Sequence, residues 1–140
     1  MGCDIHVHIE VKINDEWLYY APAPINRNYE LFARMANCGR RTDITPIAPN
    51  RGLPIDVTQM THIHRLYWGI DGHSTSWLGE HEIAILEEEF KDLGKFSRPH
   101  GFLSDNKIYL FGNYVGGRQK YPEDYPEFIQ DVRIIFWFDN

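Results

Sequence analysis

Four side chains at alternate positions near the N-terminus, Asp4, His6, His8 and Glu10, are of the types that bind metals or move protons. A free imidazole titrates near pH 6.5, and its nitrogens, like carboxylate oxygens, coordinate zinc and similar ions. Successive side chains on a strand point to opposite faces. If this segment is a strand, these four residues share one face and Ile5, Val7, Ile9 and Val11 share the other. Residues two apart on a strand lie roughly 6.5–7 Å apart, so neighbouring imidazoles can converge on one ion. The row predicts a divalent-metal site, zinc or manganese, built from Asp4, His6 and His8. Without metal, His6 and His8 would be the catalytic acid and base. The competing reading is a solvated strand face on which His pairs with Asp or Glu.

A second group of polar side chains lies in Asp71-Gly72-His73-Ser74-Thr75-Ser76-Trp77, just before an expected helix. A helix start offers free backbone N–H groups and the positive end of the helix dipole, which suit a phosphate. In that reading His73 is a third catalytic residue, and Ser74 and Ser76 bind ligand. The alternative is ordinary capping by the hydroxyls, with Trp77 in the core. Arg34, Arg40, Arg41 and Arg51 form the basic neighbourhood of the chain and could clamp phosphates bidentately. Arg40, Arg41 and Arg51 are the expected ligand arginines, and Trp137 is the expected aromatic platform. His64 reads as a hydrogen-bonded core residue, and His62 and His81 as surface residues.

The Asp-x-His-x-His order is similar to the first strand of amidohydrolases and related metal-dependent phosphoesterases. Five residues carry that likeness, and those enzymes need a barrel of about 250 residues, so the family is rejected and the local chemistry kept. His73-Ser74-Thr75 matches half of the two-histidine phosphoesterase signature, but no second copy follows.

These groups need elements to hold them. A strand is expected from about Cys3 to Ile13, a tight turn at Asn14-Asp15, and a return strand from Glu16 to Tyr20. Asn28 caps a helix with Leu31, Phe32 and Met35 on its apolar face, closed by Cys38-Gly39. Arg40 to Pro54, with Pro46, Pro49, Gly52 and Pro54, reads as a loop. Asp56 and Gln59 form a capping box for a second helix with Val57, Met60, His64 and Tyr67 on one stripe. Gly69 to Gly79 reads as a loop. A third helix runs to about Leu93 with Ile83, Leu86, Phe90 and Leu93 inward. Lys107–Tyr114 and Val132–Asp139 are further strands. Strands at both ends with helices between predict one α+β domain over 1–140: a largely antiparallel sheet and about three short helices.

Composition narrows the function. The chain has 140 residues, 43% hydrophobic and 24% charged, as expected of one soluble domain. Its net charge of -6 argues against general nucleic-acid binding, which needs a basic footprint. No apolar run has the length of a membrane span, and the start does not read as a secretory signal. The two cysteines, Cys3 and Cys38, suggest neither a zinc pair nor a disulfide framework, which fits a reducing cytoplasm.

Several segments together resemble a family of small phage and prophage proteins. They are the opening Met1-Gly2-Cys3-Asp4-Ile5-His6, Tyr29-Glu30-Leu31-Phe32-Ala33, Pro46-Ile47 through Arg51-Gly52-Leu53-Pro54, His73-Ser74-x-Ser76-Trp77-Leu78, and the ending Val132 to Asn140. The resemblance spans nearly the whole chain. It gives no residue a role. It implies a phage accessory protein in the cytoplasm of a bacterial host, where such proteins often blunt immunity. The expected function is action on a phosphate-bearing small molecule, with hydrolysis of a nucleotide immune signal as the leading version. A non-catalytic sponge for such a nucleotide and a protein inhibitor of a host immune factor are the alternatives. An exposed apolar patch would favour the inhibitor. Oligomeric state is left open.

Overall fold

Alternation along the first strand decides the architecture. The computed structural model describes residues 2–23, 25, 27–38, 41, 43–90 and 129–139. Strand β1, Asp4–Ile13, buries Ile5, Val7, Ile9 and Val11 against one layer. It turns at Asn14 and Asp15, whose φ values of 51° and 63° suit a tight hairpin turn, into β2, Glu16–Pro22. On its other side β1 pairs with the last described strand, β4, Ile129–Asp139. Strand β3, Gly72–Gly79, adds to the far edge of β4. The order is β2-β1-β4-β3, and every pairing is antiparallel.

One sheet face is apolar. Ile9 pairs with Ile134, Val7 with Phe136 and Ile5 with Phe138. Helix α1, Tyr29–Ala36, lays Leu31, Phe32 and Met35 there, with Phe32 edge-on to Phe138 at 5.2 Å. Asn28 caps it by accepting from the Leu31 N–H, as expected, and Asn37 ends it in the left-handed region. Helix α3, Glu80–Glu89, adds Ile83 and Leu86 to the same layer. The expected strand Lys107–Tyr114, Leu93, His100 and Arg40 lie outside the described residues.

The other face is covered by helix α2, Gln59–Trp68. Four expectations change here. Its cap is Thr58, not Asp56, whose carboxylate is instead taken by Arg133 at 2.8 Å. The expected apolar stripe of α2 is not buried: Met60 and Tyr67 face solvent, and Thr61 is its only fully buried described residue. His64 is exposed rather than in the core. The stretch expected as a loop from Gly69 to Gly79 is a short 3-10 turn, Gly69–Asp71, followed by strand β3. Pairing with β4 overrides its Gly, Ser and Thr content, and a bulge between His73 and Ser76 absorbs the misfit, with Ser74 at φ 56°. No helix among the described residues is long and apolar enough to cross a membrane.

Candidate functional site

The polar row of β1 does face one way, and α2 closes over it. Glu10 is fully buried. Its Oε1 accepts from Arg133 at 2.9 Å, and its Oε2 accepts from the hydroxyls of Thr58 (2.6 Å) and Thr61 (2.7 Å) and the Thr58 N–H (3.1 Å). The Arg133 guanidinium lies 3.9 Å over the Trp17 ring. A buried charge must be paired and hydrogen-bonded, and this one is. Glu10 therefore pins the start of α2 to the sheet.

His8 comes next. Its Nδ1 lies 2.7 Å from the Tyr19 hydroxyl, and its ring stacks between Trp137 (5.1 Å) and His64 (4.7 Å). Burial, then the neighbouring His64 and His6, push its pKa down to about 4. His8 is thus neutral at physiological pH. His6 is half-open. Its Nε2 lies 2.7 Å from Asp139 Oδ2, and the Trp68 ring of α2 lies tilted against it at 4.1 Å. Asp4, exposed, is paired with Arg27 at 3.0 Å, which holds its carboxyl below the usual range.

Asp4, His6 and His8 thus each have another partner: Arg27, Asp139 and Tyr19. No group of three His, Cys, Asp or Glu side chains converges on a metal position among the described residues. The expected composite with His73 does not assemble. His73 pairs with Phe138 and stacks on it at 6.2 Å, on the apolar face, whereas His6 pairs with Trp137 on the α2 face. Strand alternation separates them. Among the described residues, Ser74 reaches only the His73 ring, at 3.1 Å. Ser76 is buried and donates to the Ala48 carbonyl at 2.5 Å, fastening the 47–52 segment to β3. Trp137 is fully buried, and its Nε1 finds no partner among the described residues. It is a floor under His6 and His8 rather than an open platform.

The described arginines of the expected clamp, Arg34, Arg41 and Arg51, are likewise occupied. Arg51 holds Glu82 through two nitrogens (2.6 and 2.8 Å) and also reaches the Trp77 and Ile47 carbonyls. Arg34 holds Glu89 in the same way, and Arg41 holds Asp43. These partners lie far away in sequence, except Asp43, and no local pattern announces them. The two cysteines lie side by side as free thiols with Sγ atoms 2.8 Å apart, and burial helps push Cys3 up to about 12.

One arginine differs. Arg65, on α2, donates to the Thr75 hydroxyl (2.8 Å) and the carbonyls of Gly69 (3.1 Å) and Gly72 (2.8 Å). All three acceptors are neutral. Among the described residues it is the only arginine not paired with a carboxylate. It lines a concavity of about 430 Å³ with His62, Thr75, Gly69, Leu53 and Leu66. A second concavity of about 510 Å³ lies between β2 and the start of α2, lined by Trp17, Tyr19, Asp56 and Thr58 among others. Neither is lined by His6, His8 or His73. Arg65 escapes a sequence reading because only folding shows that it lacks a carboxylate. No protein-family model, curated protein or solved structure matches this chain.

Proposed function

We propose that this protein binds a phosphate-bearing small molecule of the nucleotide type in the concavity around Arg65 and withholds it from its receptor. The observation that carries this reading is the state of Arg65. Its guanidinium is held by three neutral acceptors, so its charge is oriented but not neutralised. A guanidinium has five N–H donors, so donors are left for an oxyanion. His62 adds a polar group at the rim, and Leu53 and Leu66 supply apolar surface for a base or sugar. The resemblance of the sequence to phage proteins supports this reading, because in a bacterial cytoplasm sequestering a nucleotide signal would serve counter-defence.

Hydrolysis is the second reading, and one observation favours it. Asp139 orients the half-open His6 imidazole at 2.7 Å, the arrangement a general base needs. Incubation with a panel of cyclic and dinucleotide signals, washing and heat denaturation separate the two. Sequestration predicts intact nucleotide in stoichiometric amount, with affinity falling roughly ten- to a hundred-fold in Arg65→Gln. Cleaved product that disappears in His6→Asn would replace sequestration by hydrolysis. No retained nucleotide would end both readings and leave the inhibitor of a host protein.

A further inference from the structure

Helix α2 is amphipathic in the inverted sense. Thr58 and Thr61 turn toward Glu10, Arg65 toward Thr75, and Trp68 toward His6. Its apolar side chains point away from the protein: Met60 is 47% exposed, Ile63 53%, Leu66 65%, Tyr67 83%, and Ile70 in the following turn 100%. Ile55, before the helix, is also fully exposed. Met60, Ile63 and Tyr67 follow each other at steps of three and four, and Ile70 stands just past the end of the helix. That is the spacing of a seam made to pack against another helix. Single exposed apolar residues are ordinary, but a contiguous patch of this size marks an interface.

We infer that a second copy of this chain covers the outer face of α2, so that two α2 helices pack across a twofold axis. Two observations select a copy over another protein. First, α2 has no acidic residue, and its one arginine is turned inward. Self-pairing therefore meets no like-charge repulsion, whereas a partner chosen by charge would find no complement. Second, the area is sufficient. Large apolar side chains present on the order of 150–200 Å² each, so the five from Met60 to Ile70 at their observed exposures offer roughly 500–700 Å². That is most of the share of about 800 Å² that one partner gives to a standard interface. An antiparallel arrangement sets Met60 near Ile70 of the other copy and Ile63 near Tyr67, an isologous contact that closes on itself. The pair would also stand beside the Arg65 concavity, since Leu66 belongs to both surfaces.

Light scattering coupled to size exclusion, run on the full chain at up to about 100 μM, tests this inference, because an interface of standard size is populated there. The wild type should elute at twice the chain mass. Ile63→Lys and Tyr67→Lys, both at exposed positions, should keep the circular dichroism spectrum of the wild type and weaken association at least ten-fold. A wild type that stays monomeric overturns the inference and leaves the stripe to a protein of different sequence. A dimer that survives both substitutions unchanged also overturns it, because the contact then lies elsewhere. Nucleotide retention by either variant is read separately, so loss of the dimer and loss of ligand binding are distinguishable.

Discussion

The two faces of this sheet are held by different physics. On the α1–α3 face the contacts are apolar: Phe32, Phe136, Phe138, Ile83 and Leu86 interlock with little directional demand. On the α2 face a short helix with its apolar side outward is fastened by Glu10, Arg133, His8 and Arg65. Apolar burial degrades by increments when atoms are removed, because each methylene contributes separately. A buried polar network fails in steps, because removing one partner leaves another unsatisfied. The protein thus combines a tolerant side with an exacting one, and the exacting side carries the candidate site.

Neighbouring residues of β1 test the contrast most severely. Ile9 and Glu10 are both 0% exposed and point to opposite faces. Glu10→Ala leaves both threonines and the Arg133 Nε–H without their shared acceptor, with Asp56 the only carboxylate still on Arg133. Breaking a buried pair of this kind typically costs about 3–5 kcal/mol, and Ile9→Val about 0.5–1.5 kcal/mol. Urea denaturation of the two variants gives the comparison, and equal losses would erase the distinction between the faces.

Acid should separate the faces as well. The folded-state pKa of His8 is about 4, below the ordinary 6.5. Between those values the unfolded chain binds the proton and the folded one does not, so stability falls as pH drops from about 6.5 to 4. The full effect is on the order of 3 kcal/mol. Glu82 and Glu89, at the rim of the other face, are lowered from 4.5 by hydrogen bonds from Arg51 and Arg34. Their contribution is present above pH 4.5 and lost only as pH falls further. Near pH 5.5, hydrogen exchange should therefore quicken in α2 while α1 stays protected. His8→Gln should flatten the dependence in that window, and simultaneous loosening of both helices would argue against it.

The smallest effect is expected at Arg51. Its pair with Glu82 is partly exposed, so Arg51→Ala should cost about 1 kcal/mol despite four side-chain hydrogen bonds. A thermal melt measures it. A loss as large as that of Glu10→Ala would show that directional contacts matter equally on both sides.

What the sequence reveals follows the same division. The period of two in β1 and β4, the Asn14-Asp15 turn and the Asn28 cap are local rules, and the structure obeys them. The apolar stripe of α3 is equally local: Ile83 and Leu86 are buried. The α2 side is set by distant partners. Asp56 does not cap α2 because Arg133, 77 residues on, takes its carboxylate. Strand β3 has weak strand composition and exists because β4 offers it an edge. For the candidate site, the row Asp4-His6-His8-Glu10 was legible as a face, but its roles were not. The partners Arg27, Asp139, Tyr19 and Arg133 determine which of those groups remain chemically available.

The pairing of β1 with β4 also bears on how the chain reaches this state. The β1–β2 hairpin closes over two turn residues and can form in about 1–10 μs. The β1–β4 ladder joins Asp4 to Asp139, so most of the chain must be looped before its first contact stabilises anything. Until then the hairpin presents Ile5, Val7 and Ile9 on a strand with one edge unsatisfied, a template for pairing with other chains. Refolding yield should therefore depend on dilution, with aggregation competing at the hairpin edge for the place that β4 eventually takes.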